Sequence, residues 1–205
     1  MILTTLYDLV FMSASSLEGE TKTECNAGNM PLNGFLSSVE KPAYHHAYLA
    51  TMRKEDALDI VQDSMLKLVE KYRHKPEEEW RPLFYKILYR NIVNWHRKSK
   101  LNTILGIIGF SDAVDADIES VDAGVHSSEL GTPSANVQNE QLKTRLNKAL
   151  KQLPLRQQQA VLLRSWHGFS TAETAKMMHC SEGSVKTHCS RGQLKLRGLL
   201  EDFHL

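Results

Sequence analysis

Between Arg53 and Tyr72 the apolar residues Ala57, Leu58, Val61, Met65, Leu68 and Tyr72 recur at steps of three and four. That spacing lays an apolar stripe along one side of a helix, whereas a half-buried strand would alternate at every second residue. The pattern returns from about Leu83 to Lys98, after the breakers Pro76 and Pro82, with Leu83, Ile87, Leu88, Ile92 and Trp95 on the apolar side. Phe35 to Ala50 also reads as helical, with an interruption at Pro42. Beyond Glu140, Leu142, Leu146, Leu150 and Leu153 form another stripe, and Pro154 starts a helix holding Ala160, Val161, Leu162 and Leu163. Strand-like alternation is weak throughout, so the expected fold class is all-α.

The formal net charge of +1 conceals a sharp division along the chain. Phe35 to Leu101 holds 13 Lys and Arg against 9 Asp and Glu, Asn102 to Glu140 none against 7, and Gln141 to Leu205 11 against 4. Two small helical domains, 35–101 and 140–205, joined by an acidic flexible linker over 102–139, are therefore expected, with residues 111–136 the least ordered part. Residues 13–34 are rich in Ser, Thr, Glu, Gly and Asn and lack the apolar groups that would offset ordering entropy, so 1–34 reads as a flexible extension. Met12 and Met30 are alternative starts. Two basic blocks flanking an acidic tether suit two modules that face a polyanion.

Three cysteines, Cys25, Cys180 and Cys189, are too few and too unevenly spread for a disulfide framework, which fits a reducing, cytoplasmic setting. The apolar opening MILTTLYDLVFM carries Asp8, lacks a basic leader and is too short to span a bilayer, and no other stretch is a membrane candidate. Cys180 and Cys189 each follow a histidine, but this spacing is no established zinc pattern and Cys189 falls on an expected core face, so neither metal nor cofactor is expected. No phosphate loop, HExxH or GxSxG motif is present, and the consecutive Glu77, Glu78 and Glu79 would point in different directions on a helix. No catalytic residue is assigned, and a non-enzymatic protein is expected.

The strongest local signal spans residues 169–200, FSTAETAKMMHCSEGSVKTHCSRGQLKLRGLL. Ser170 followed three residues later by Glu173 forms a capping box at a helix start. Ala172, Ala175 and Met178 are expected to face inward, His179 and Cys180 to turn, and Ser181 to cap a second helix with Val185, Cys189, Leu196 and Leu199 in its core. The opposite face carries Ser184, Lys186, Thr187, His188, Ser190, Arg191 and Lys195, the donors and cations that reach base edges and phosphates in a major groove. This is a helix-turn-helix.

The run from Ala149 to Leu200 resembles the C-terminal domain of sigma factors, in which a Leu-Pro pair, an Arg, a Ser-capped helix and a recognition helix containing Val-Lys recur in that order. The stretch DALDIVQDSMLKL, residues 56–68, resembles the helix by which sigma factors grip the clamp helices of RNA polymerase, with Asp59, Gln62 and Asp63 at the characteristic positions. Their i, i+3, i+4 spacing puts them on one side of that helix. Residues 84–100 resemble the sigma helix that lies against the −10 element, with cations at Arg97, Lys98 and Lys100 for phosphates. Trp80, Tyr85, Tyr89 and Trp95 include candidates for stacking on unpaired bases, Trp95 reading rather as core. His188 stands where the family often has Arg, and Asn94 where it often has Asp.

The resemblance covers about residues 35–101 and 140–203 and is nearest to the two-domain extracytoplasmic-function (ECF) group of the sigma-70 family. It implies binding to core RNA polymerase and to promoter DNA, with Ser184, Lys186, Thr187, His188, Arg191 and Lys195 facing the −35 element. It also implies that the acidic linker follows the positively lined RNA path of polymerase, and it leaves open whether an anti-sigma factor is a partner.

Overall fold

A computed structural model describes residues 30–107 and 144–201 of the 205-residue chain. Residues 1–29, the bulk of the expected extension, lie outside the described residues, as do 108–143, with most of the acidic linker and Leu142. The described residues form α1 (Met30–Thr51), α2 (Lys54–Tyr72), α3 (Glu77–Ile107), α4 (144–151), α5 (Leu155–Val161) continuing into a π turn (Leu162–Trp166), α6 (Thr171–Met178) and α7 (Glu182–Glu201), with no strand among them. An all-α fold is observed. None of these helices is long and apolar enough to cross a membrane.

Three helix boundaries differ from the sequence expectation. α1 begins at Met30 and buries Leu32, so the last residues assigned to the extension are helical. Pro42 lies inside α1 without ending it; its missing N–H removes one intrahelical bond, and burial of Val39, Ala43, Ala47 and Ala50 on the same helix outweighs that loss. α3 starts at Glu77, ahead of Pro82, because Glu79 N–H donates to the Pro76 carbonyl at 3.0 Å and three glutamates occupy the first turn, where the helix dipole favours negative charge. At its other end α3 continues to Ile107, into residues assigned to the linker.

The inward stripe of α2 is Ala57, Ile60, Val61, Ser64 and Leu68, whereas Leu58, expected on the apolar side, is 47% exposed. Ser64 is tolerated at full burial because its hydroxyl donates to the Ile60 carbonyl at 2.6 Å and accepts from Asn91 Nδ2 at 2.9 Å. Leu146, Leu150 and Leu153 are buried as expected, and Pro154 precedes α5.

The two halves of the chain meet along α3. Phe84, Tyr85, Leu88, Tyr89 and Ile92 share one buried cluster with Ala160, Leu163, Phe169, Met177 and Met178. Leu49 of α1 joins a second cluster with Leu146, Leu150, Leu153, Leu162 and Leu196. Full burial of one such side chain stabilises by roughly 1.5–3 kcal/mol, so this contact is more than a brush between surfaces. The π turn aims it: His167 N–H donates to the Leu162 carbonyl at 2.9 Å, and Gly168 takes a positive φ of 72° that a side chain would strain. His167 and Phe169 thereby reach the Tyr85 ring, with centroids at 4.2 and 5.2 Å.

Candidate nucleic-acid interface

α6 and α7 are set by local chemistry already visible in the sequence. Ser170 Oγ accepts from Glu173 N–H at 3.1 Å while the Glu173 carboxylate accepts from Ser170 N–H at 2.7 Å, completing the capping box. These bonds, Ser170's hydroxyl foremost, hold the Glu173 carboxyl below its ordinary value. His179 ends α6 in the left-handed conformation, φ 50°, and Ser184 N–H then donates to Ser181 Oγ at 3.1 Å to start α7. Thr174, Ala175, Met177 and Met178 of α6 point inward; Ala172, expected among them, is exposed. Val185 and Leu196 anchor α7, and Gly192 lets it approach α5 so closely that an added Cβ would lie 2.8 Å from Val161 Cγ2.

The outer face of α7 presents Lys186, Thr187, Arg191 and Lys195 to solvent, with Ser184 and His188 half-buried beside them. Lys186 and Arg191 have no hydrogen-bond or ion-pair partner among the described residues, so their charges are available to a ligand. Thr187 Oγ1 donates to the Gly183 carbonyl at 3.0 Å, and Ser184 Oγ lies 2.9 Å from Ser181 Oγ. Burial, then the neighbouring Arg156 and Arg191 guanidinium groups, lower the His188 pKa. Arg156, exposed near the start of α5, thus adds a cation to this face that sequence reasoning had not assigned. Its position three residues after Leu153 was legible, but its proximity to a helix thirty residues away was not.

On α2, Asp59, Gln62 and Asp63 are all exposed and share a face with Leu58 and Leu66, 47% and 60% exposed. Asp63 pairs with Lys67 at 3.5 Å, and Lys67 also donates to Asn91 Oδ1 at 3.1 Å. The face is a mixed one, two carboxylates and an amide framed by two exposed leucines. Leu58 was missed as a surface feature because it was counted toward the apolar stripe, and Leu66, which lies off that stripe, was assigned no role.

The aromatic candidates on α3 are where the structure departs most from expectation. Trp80 is 6% exposed, its indole N–H donates to the Tyr72 carbonyl at 3.2 Å, and its ring lies 5.9 Å from Phe35, so it is a core residue of the first half and no free stacking platform. Tyr85 is 2% exposed beneath His167 and Phe169, and burial raises its phenol pKa. Tyr89, also buried, feels Arg156 and Cys180 from the second half. Both tyrosines are covered by the C-terminal half, a consequence of interhalf packing that no local pattern reveals. Arg97 and Lys98 are exposed, as is Asn94, and Trp95 is half-buried with its ring edge-on to His96.

The Cys189 thiol donates to the Ala160 carbonyl at 3.4 Å, and burial pushes its pKa up, which keeps it protonated. Among the described residues no group of three or more His, Cys, Asp or Glu is arranged to hold a metal ion.

Residues 143–196 match the family model described as Sigma-70, region 4. The chain is similar to RNA polymerase sigma factor SigV of Bacillus subtilis, 30% identical over 166 residues that cover 78% of this chain and 85% of the relative. It is similar also to the ECF RNA polymerase sigma-E factor of Haemophilus influenzae, 28% identical over 140 residues, 68% of this chain and 72% of the relative. Among solved structures, the sigma factor RpoE of Bartonella quintana, in complex with the anti-sigma factor NepR, shares the fold with a TM-score of 0.59 at 23% identity, over 83% of this chain and 96% of that one.

Proposed function

This chain belongs to the extracytoplasmic-function group of the sigma-70 family, factors that direct promoter-specific transcription initiation with region 4 as a DNA-binding part, and on that footing we propose how its residues divide the work. The outer face of α7 reads the −35 element in the major groove, with Lys186, Thr187 and Arg191 toward base edges and Lys195, Arg156, Ser184 and His188 toward the backbone. The outer face of α2, with Asp59, Gln62 and Asp63 flanked by Leu58 and Leu66, docks on core RNA polymerase. Arg97 and Lys98 on α3 meet phosphates near the −10 element. The protein works in the cytoplasm as an initiation factor and carries out no catalysis of its own.

The observation that carries this reading is the geometry of α7: its buried side is fixed by Val185, Leu196 and the Gly192 contact, and Lys186 and Arg191 on its outer side have no partner among the described residues. A rigid helix with unneutralised cations facing outward is what groove recognition requires. The α2 face supports the second half of the reading, because exposed leucines beside carboxylates suit a partially apolar, basic partner surface better than bulk water. An anti-sigma partner is part of the proposal, supported by the complexes in which the fold's relatives RpoE and CnrH were solved, with NepR and CnrY.

Titration of the purified chain with core polymerase, followed by binding of the resulting complex to DNA carrying varied −35 sequences, tests both faces. Saturable polymerase binding and a sequence preference lost on mutating α7 are expected. Sequence preference in the absence of polymerase, with no polymerase binding, would point instead to a stand-alone regulator.

A further inference from the structure

A chain of buried polar groups crosses the contact between the two halves. His46 Nε2 lies 2.8 Å from Gln159 Oε1, and His46 Nδ1 lies 2.9 Å from His167 Nε2. Gln159 Nε2 faces Gln158 Oε1 at 3.5 Å, and Gln158 Nε2 donates to the carbonyls of Leu49, at 2.9 Å, and Leu150, at 3.1 Å. Arg81 donates to the His167 carbonyl at 2.6 Å. His46 and His167 are 2% and 5% exposed and stack with centroids 5.1 Å apart.

The bonding pattern fixes the protonation states. Gln159 Oε1 can only accept, so His46 donates from Nε2; in the neutral ring its Nδ1 is then a lone pair, and His167 Nε2–H donates into it. A proton added at His46 Nδ1 would make it a second donor, so the bond to His167 would survive only if His167 moved its own proton to Nδ1, and either way a cation would be buried between the halves. A proton added at His167 would bury a cation next to Arg81. The ionisable groups that act on the pair are His45 from α1 and Arg81 from α3, both opposing positive charge, while Tyr85 of α3 presents a neutral phenol. Beyond them, Lys151 acts on His45 and Glu173 of α6 interacts with Arg81, and among the described residues no carboxylate acts on either ring.

We propose that this contact is a proton-released latch: neutral His46 and His167 hold the C-terminal half over α3, covering Tyr85 and Tyr89, and protonation of the pair frees the halves from each other. Burial foremost holds both imidazoles below their ordinary value; at His46, brought down to about 4, the Gln159 hydrogen bond opposes it and His45 adds to it, and at His167 the charges of His46, Arg81 and His45 add to it. Exposed by opening, the rings regain values near 6.5. The closed form therefore binds fewer protons than the open one between those limits. Its stability is complete above about pH 6.5 and declines as the pH falls toward 4. With two titrating rings the closed-to-open ratio falls by up to about a hundredfold per pH unit in that window, with one by up to about tenfold. That opening would bring Tyr85 and Tyr89 within reach of DNA rests on the resemblance of α3 to the sigma helix that lies against the −10 element; the latch itself does not, and it is tested without DNA.

The test is small-angle scattering of the full chain from pH 7.5 to 4.5, with helicity followed by circular dichroism in parallel. The radius of gyration is expected to rise on acidification while helicity is retained. His167→Gln keeps an amide donor for His46 Nδ1 but takes up no proton, so its expansion should be shallower in pH. Arg81→Ala removes the tether to the His167 carbonyl and should expand the chain already at pH 7.5. Where His167→Gln loses helicity, His46→Gln carries the same comparison. A radius that stays constant until helicity is lost, an identical pH response in the glutamine variant, or an unchanged radius in Arg81→Ala would overturn the latch. Any of these would leave the polymerase and promoter reading untouched, since that is measured with polymerase and DNA.

Discussion

Lys195 Nζ donates to the carbonyl of Gln152 at 2.9 Å, tying the outer face of α7 to the chain just beyond α4. The ammonium is thus held at the margin of the recognition face, away from the N-terminal half of the helix that enters a groove. Lys195→Ala is expected to weaken binding to all promoters about equally and to reduce the salt dependence by roughly one counterion. Lys186→Ala or Arg191→Ala should relax preference at particular −35 positions, at a cost on the order of 1–3 kcal/mol where the contact is bidentate. Holoenzyme binding across a −35 library at several salt concentrations separates the two behaviours.

His188 provides a pH-dependent readout of phosphate contact. Burial and the nearby Arg156 and Arg191 lower its pKa in the free protein, and a phosphate placed among the three groups would favour the charged ring instead. The DNA-bound state then holds more protons than the free one, so promoter affinity should rise as the pH is lowered. The His188 ring resonance, titrated by NMR with and without a −35 duplex, should show a higher pKa in the complex. His188→Gln should lose this part of the pH dependence.

Charge reversal at Asp59 and Asp63 should weaken core polymerase binding without altering helicity, because both carboxylates are exposed. Leu58→Ala with Leu66→Ala should weaken it comparably, by about tenfold or more if the leucines enter apolar pockets, equivalent to about 1.4 kcal/mol. A pull-down titration measures both.

Two glycines of α7 should respond in opposite directions to alanine. At Gly192 the new Cβ would meet Val161 Cγ2 at 2.8 Å and the Gln157 carbonyl oxygen at 3.3 Å, so Gly192→Ala should destabilise by about 1–3 kcal/mol. At Gly198 nothing lies within 4 Å, and Gly198→Ala should stabilise by about 0.5–1 kcal/mol through helix propensity. Thermal melts of the two variants give the comparison.

Much of the helix-turn-helix was legible because its determinants are local: the Ser170–Glu173 box, the turn at His179, the Ser181 cap and the spacing from Val185 to Leu196. Leu58 was misplaced because apolar periodicity gives the stripe's direction only to within about one residue step, and Ile60 and Ser64 complete the true stripe. Pro42 and Pro82 were weighted as breakers, yet tertiary burial carries the helix past each. Burial of Tyr85 and Tyr89 and the pairing of His46 with His167 depend on residues some eighty and 121 positions apart along the chain, a separation at which no periodic pattern in the sequence carries information.

The most direct measurement of the central claim is run-off transcription by purified core polymerase on a library of genomic fragments, with and without this chain. Transcripts that depend on the chain, that start downstream of a shared pair of −35 and −10 sequences, and that are lost when Asp59 and Asp63 or Lys186 and Arg191 are altered, are the expected result. Binding to core polymerase with no promoter-specific transcript above core alone would contradict it.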